Sequence, residues 1–342
     1  MSPEGFFENS GSRIRYLTPL PPSAFPIDLN NGNITTTTDI ADEPRYLDNM
    51  LRFIKASKEK FLKYTEHQPK VLYVNMEFIC TREVMRLIAC APYDTKTNWT
   101  LAISKYRQNI YIAKVPNEAR PFCGFDQDAA KQLIKANWLK KLRKHCLMSL
   151  ANNIVLPDSY EQKEECGQYY AVYSILFDGM SILFDAPVLA EQCPNSFISE
   201  PKKFLELQLR PGSMNRAEWA VHNRDESIQW WVESFFIGAQ GIYIADHDER
   251  GFVHRIRNHE MRAFRKECER DWAPHFCANF LARFLRKIKE IMLPVDSAST
   301  VYLFDFDAKN GIITYRPETA GNEHTFIPDW YRLLMEESLC FN

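Results

Sequence analysis

KFLELQLR at residues 203–210 and SIQWWVESFFIGAQGIYIADHDERGFVHRI at residues 227–256 decide the fold. The first is dense enough in apolar residues to be a strand buried on both faces. It nevertheless carries Glu206, and an ionised carboxylate buried there needs a partner. The second opens as a short aromatic helix over residues 226–236 and continues as two strand runs over 242–256, split by Asp248-Glu249-Arg250-Gly251.

Outward from this pair the same alternation of helix and strand continues. Residues 169–189 read as buried strand, and 301–315 hold two runs split by Asn310-Gly311, a strong hairpin signal. Residues 71–80 and 100–115 are rich in β-branched and aromatic residues, and Arg107-Gln108-Asn109 divides the second stretch as a hairpin turn. Leu47, Met50, Leu51, Ile54 and Phe61 recur at helical spacing. Over 129–150, Leu133, Ile134, Trp138, Leu142 and Cys146 share one side of a helix, with Lys135, Lys140, Lys141 and Lys144 largely on others. Phe280, Phe284, Leu285, Ile288, Ile291 and Met292 form a core helix that Pro294 ends. Residues 1–45, rich in Pro, Ser, Asn, Thr and Asp, read as an extended arm packed on a core of residues 46–342. The expected class is α/β (α+β), a single domain of mixed, largely antiparallel sheets flanked by helices.

The chain has 342 residues, 45% of them apolar and 25% charged, enough to bury a large core. Its net charge of -2 supplies no global basic field, so an RNA-binding surface has to be a local patch. Nine cysteines contain no C-x-x-C pair and the N-terminus has no signal-like apolar run, which points to a reducing compartment. No apolar segment reaches membrane-spanning length, and no membrane partner is expected.

Several stretches resemble the decapping-exonuclease (DXO) family. They are IRYLTPLPPSAFPIDLNNG (14–32) with RYLDNMLRFI (45–54), CTREVMRLIACAPYDTKTNWTLAISKYRQNIYIAKV (80–115), KFLELQLR, the double-Trp helix with its hairpin, DWAPHFCANFLARFL (271–285) and FIPDWY (326–331). The resemblance implies a nuclease fold whose active members remove incomplete or non-standard caps from RNA 5' ends and often digest the RNA. They use divalent metals held by clustered carboxylates, which clamp the attacking and leaving oxygens at phosphorus.

At the matched positions this chain departs from that pattern. A helical Glu is replaced by Arg143, with Leu139 where a Gly is expected. A Glu-x-Asp pair falls on Pro187 and Leu189, or in another register on Met180 and Ile182; neither restores acids. The Glu-x-Lys motif keeps Glu206 but has Gln208 for the Lys, and Glu233 stands for a Gln after the double Trp. Arg82, before the Pro-Tyr pair, survives. Relative to four acids and one Lys, with charge -3, the set Arg143, Glu206 and Glu233 leaves -1. A metal pair would be held poorly, so no cofactor is expected and Glu206 is at most a weak metal remnant. Arg143 is expected either to reach Glu206 or an RNA phosphate, or to lie on a solvated basic face.

The resemblance then implies a pseudoenzyme in nuclear RNA processing rather than an enzyme. It would protect nascent 5' ends, or suppress termination or splicing during piRNA-precursor transcription, through protein partners such as a Deadlock-like adaptor. Arg82, Lys140, Lys141, Arg143 and Lys144 are the candidate RNA contacts. The alternative is a residual metal-dependent 5'-end pyrophosphohydrolase or decapping exonuclease with a site rearranged around Glu206, Glu233 and Asp185.

Overall fold

The computed structural model describes residues 4–8, 15–17, 24–30, 46–66, 71–116, 127–149, 169–192, 204–318 and 322–337. Three short strands open it: β1 (Gly5–Glu8), β2 (Arg15–Leu17) and β3 (Ile27–Asp28). Then come α1 (Asp48–Ala56), α2 (Lys58–Phe61), β4 (Leu62–Tyr64), β5 (Leu72–Val74), β6 (Phe78–Thr81), α3 (Arg82–Cys90), β7 (Trp99–Tyr106) and β8 (Asn109–Lys114). The middle holds α4 (Gln127–Cys146), β9 (Leu147–Ser149), β10 (Tyr169–Phe177), β11 (Met180–Val188), β12 (Ala190–Gln192) and β13 (Phe204–Pro211). The rest is α5 (Arg216–His222), a π-turn at Asn223–Ser227, α6 (Ile228–Phe236), β14 (Gly241–His247), β15 (Phe252–Glu260), α7 (Met261–Glu267), α8 (Pro274–Ile291), β16 (Val301–Asp307), β17 (Ile312–Glu318) and α9 (Asp329–Glu337).

Two mixed sheets carry the architecture. One has the order β1-β10-β11-β6-β8-β7-β16-β17, the other β3-β15-β14-β13-β12-β2-β9. Parallel pairing is confined to β11 with β6, β6 with β8, β13 with β14 and β12 with β2; the other pairs are antiparallel. The fold class is therefore the one expected from the sequence. Three stretches of the first thirty residues each add a strand, to β10, to β12 and β9, and to β15.

β13 is buried along almost its whole length. Its Leu207 and Leu209 pack with Ile27, Leu29, Val253 and with Leu142 and Cys146 of α4. The next residues in alternation, Glu206, Gln208 and Arg210, face the other way and are buried too. That second face meets the largest core cluster, to which Ile242 and Ile244 of β14, Ile228, Val232 and Phe236 of α6, and the apolar face of α3 belong.

Local sequence explains the joints. Arg107 and Gln108 both take positive φ, as a two-residue hairpin turn demands. Asp178 and Gly179 do the same between β10 and β11; this Asp-Gly pair splits a stretch that reads, without it, as undivided strand. The helix expected over 129–150 stops at Cys146, because Leu147–Ser149 pair with β2 instead. Its expected apolar face also divides. Leu142 and Cys146 are fully buried on β13, whereas Leu133 and Ile134 are exposed, since only the C-terminal half of α4 lies on the sheet. Cys123, Cys166, Cys193 and Cys340 fall outside the described residues; the other five cysteines are free and buried.

α4 is seated at Gly251. The Asn30 amide donates to the Arg250 carbonyl at 2.5 Å, and the Trp138 indole donates to Asn30 Oδ1 at 3.3 Å. A Cβ on Gly251, whose φ is 81°, would stand 2.7 Å from the Trp138 ring and 3.0 Å from Asn30 Nδ2. Gly251→Ala is expected to lose about 2–4 kcal/mol in urea denaturation, adding left-handed backbone strain to overpacking. Gly311→Ala, with φ 64° and open space around it, should lose only about 1 kcal/mol. Equal losses would show that α4 does not dock there.

Candidate functional site

α3 starts directly after β6. Thr81 caps it, its hydroxyl accepting from the Val84 amide at 3.2 Å. Arg82 is thus the first helical residue, a cation at the positive end of the helix dipole, where it is disfavoured unless a carboxylate answers it. Glu206 is that carboxylate. Arg82 Nη1 donates to Glu206 Oε1 at 2.6 Å, and both side chains are 6% exposed. Burial works against the Arg82 charge, but Glu206 and then Glu233 outweigh it and raise its pKa.

Four further groups surround this pair. Arg143, in the last turn of α4, is largely covered and directs Nη2 at the Leu207 carbonyl, a long contact of 3.4 Å; its buried Nε has no hydrogen-bond partner. Burial pushes its guanidinium down, Glu206 and Glu233 oppose that, and Arg82 reinforces it. Glu233 on α6 lies 2.7 Å from Arg86 Nε, an ion pair whose angle falls short of a good hydrogen bond; burial raises its carboxyl while Arg82 and Arg86 pull it back. Asp185 stands opposite Thr81 in the β11–β6 pairing and is buried; desolvation pushes it up to about 7 against the pull of Arg82. The Tyr173 hydroxyl on β10 is buried without a partner, and Arg82 and Glu206 both act on it.

The other matched positions are apolar or neutral. Pro187 is half-buried opposite Tyr170, and Leu189 packs on the cluster around β13. Met180 and Ile182, the other register, are core residues. Gln208 is buried opposite Ile244. Lys140 and Lys144 are exposed and Lys141 half-exposed on α4. The structure therefore joins Arg82, Glu206, Arg143 and Glu233 and leaves the three lysines apart from them on the helix surface. Arg82, not Arg143, reaches Glu206, and Arg143 is neither paired with it nor on a solvated face. Sequence reading missed Arg86 and Tyr173. Arg86 is one helical turn from Arg82, and Tyr173 becomes a neighbour of the site only once Asp178-Gly179 is read as the turn that sets it across from Phe184.

A family model for the RAI1-like PD-(D/E)XK nucleases matches residues 1–332. The chain belongs to that family. It is 36% identical over 337 residues to Protein cutoff of Drosophila melanogaster, covering 98% of this chain and 86% of that one. It is 24% identical to the fly's Decapping and exoribonuclease protein Rai1, over 96% and 88% of the two chains. Two solved relatives share the fold. Scheffersomyces stipitis Rai1 in complex with (3'-NADP)+ and calcium ion has a TM-score of 0.73 at 14% identity, covering 96% of this chain and 90% of that chain. Candida albicans Rai1 in complex with pU5-Mn2+ has 0.65 at 13%, covering 95% and 89%.

A family that works with divalent metals raises the question of fit. Hard cations want several ionised oxygens. Here Glu206 is bonded to Arg82, Glu233 faces Arg86, and Asp185 is half-protonated near neutrality. Arg82, Arg86 and Arg143 thus stand around Glu206 and Glu233, where a metal would need carboxylate oxygens free of such partners. Among the described residues no three His, Cys, Asp or Glu side chains gather into a metal-holding group. The residues present do not fit a two-metal centre.

Removing one member of a buried ion pair strands the other, so Arg82→Ala or Glu206→Ala is expected to cost about 3–5 kcal/mol in denaturant melts. The double replacement R82M/E206L should recover most of that loss; a double variant as unstable as the singles would mean the pair is not the source. Asp185 supplies a pH signature. Its folded pKa, about 7, lies above the unfolded value, so its contribution is complete below about pH 4 and lost as pH rises through about 7. Wild type and Asp185→Asn should therefore be similar at low pH, with the Asn variant more stable above neutrality. A stability difference that does not change with pH would refute this assignment.

Proposed function

We propose that this chain is a catalytically inactive member of the family that acts in nuclear RNA processing by binding. The observation that carries the reading is the company Glu206 keeps: Arg143 stands near it where the family pattern has an acid, Pro187 and Leu189 bring no carboxylate, and Arg82 holds the one acid that is left. Phosphoryl displacement in this family depends on metals that both stabilise developing charge and generate the nucleophile from a coordinated water, and an arginine cannot supply the second of these. It can hold a phosphate.

The finer reading rests on the likeness to Protein cutoff. In it the chain shields nascent 5' ends, or suppresses termination or splicing of piRNA precursors, together with protein partners that include a Deadlock-like adaptor. RNA contacts along Lys140, Lys141 and Lys144 belong to the same reading, because these lysines stand on the α4 surface next to Arg143.

The test is a cleavage assay on 5'-triphosphate and capped RNA with Mg or Mn, with the fly Rai1 relative as positive control. No turnover is expected from this chain. Metal-dependent product that disappears in Glu206→Gln would overturn the proposal and establish a rearranged active site in its place.

A further inference from the structure

A second arginine cluster lies on the same face of the β13 sheet as Glu206. The register sets Arg210 of β13, Asp246 of β14 and Arg255 of β15 side by side, with Arg257 two residues along β15 opposite Ile244. Asp246 is buried and holds all three arginines. Arg210 reaches its Oδ1 through Nη2 at 3.0 Å and Nε at 3.3 Å, while Arg255 Nε and Arg257 Nη2 reach Oδ2 at 2.7 and 3.2 Å. Burial works to raise the Asp246 carboxyl, yet the hydrogen bonds of Arg255 and the charge of Arg210 hold it below its ordinary value.

The arrangement carries more cation than its own carboxylate needs. Three guanidinium groups meet one carboxylate, an excess of two positive charges in a chain whose net charge is -2. Arg210 is buried and lies over the Trp219 ring, its Cζ 4.9 Å from the centroid. Arg255 and Arg257 are different, with side chains 55% and 50% exposed. Each guanidinium has five N–H donors. Among the described residues Arg255 and Arg257 donate only to Asp246, and about half of each side chain is open to water. The carboxylate fixes where both forks point before any ligand arrives, which lowers the ordering cost of binding.

We propose that Arg255 and Arg257, clamped on Asp246 and backed by Arg210, form a binding site for the phosphate backbone of single-stranded RNA. The inference rests on the RNA-binding reading above and moves its main contact away from α4. Planar guanidinium forks match phosphate oxygens in pairs. Arg255 and Arg257 are two residues apart on one strand, about 7 Å, comparable with the separation of neighbouring phosphates in an extended chain. Arg210, which backs the site, is four residues along β13 from Glu206, about 13 Å, on the same side of the strand. Trp219, partly exposed beside Arg210, adds the aromatic surface that single-strand sites commonly combine with cations.

The experiment is fluorescence anisotropy of labelled oligouridylate in EDTA, over a series of salt concentrations, comparing wild type with R255Q/R257Q. Two probes are used, one with a 5'-phosphate and one with a 5'-hydroxyl. A backbone site predicts about tenfold weaker binding of both probes by the variant. The slope of log K against log salt should be shallower by about 1.4, the release expected for two phosphates of a single strand. Circular dichroism melts confirm folding, and R255K/R257K should keep most of the salt slope while losing part of the affinity. Unchanged affinity and slope in R255Q/R257Q would overturn the site, as would a wild type that binds neither probe. A variant that binds RNA normally but loses binding to a polyglutamate peptide would assign the cluster to an acidic protein instead and also overturn it. The outcomes separate from those of the cleavage assay. Turnover sinks the inactive reading without touching the arginine dependence, and absent RNA binding sinks this site without restoring turnover.

Discussion

The pairing of Arg82 with Glu206 is the constraint on which the rest of the site depends. It ties the start of α3, and through β6 the eight-stranded sheet, to the central strand of the seven-stranded one. Both charges are almost fully withdrawn from water. In such surroundings an unpaired ion is far more costly than an unpaired dipole, so neither residue can be altered alone without leaving a charge that the core cannot solvate. The geometry of β13 against α3 is thereby fixed to within a hydrogen bond.

The neighbouring groups follow from that pair. Arg143 is drawn inward by Glu206 and Glu233 and held off by Arg82, and it ends directed at a backbone carbonyl with a buried N–H unmet. Asp185 is close enough to Arg82 to feel it, yet desolvation dominates and leaves it at the edge of ionisation. Glu233 is answered from α3 by Arg86, one turn beyond Arg82. A centre that required external cations to offset clustered acids would be unstable without them. Here Glu206 and Glu233 are answered by arginines of the chain itself, Arg82 and Arg86, with Arg143 close by, so the acids are held without an external cation.

Much of this was legible in the sequence, for physical reasons that can be named. The density of apolar residues in 203–210 marks a strand with no solvent face, and an acid at position 206 within such a strand already demands a cationic or hydrogen-bonding partner. The Asn310-Gly311 and Arg107-Gln108 turns were visible as breaks between strand runs. What pattern alone did not give was the identity of the partner, because Arg82 and Glu206 are brought together across 124 positions by pairings between strands that no local period encodes. The exposed Leu133 and Ile134 show the same limit: helical spacing shows that a face is apolar, while the length of sheet beneath it decides how much of that face is buried.

The two charge clusters on β13 obey one rule with opposite results. Around Glu206, arginines from α3 and α4 converge where little water reaches, and the charges there answer one another. Around Asp246, one buried carboxylate organises three arginines, two of which stand at the surface. A buried acid in both places determines where guanidinium groups point. At the first the fork closes on the protein, and at the second it remains open to an anion. Because the chain as a whole is slightly acidic, long-range attraction for RNA is weak and any affinity has to come from short-range, oriented contacts. Of the three arginines at Asp246, Arg255 and Arg257 have the fixed orientation and the exposure to make them.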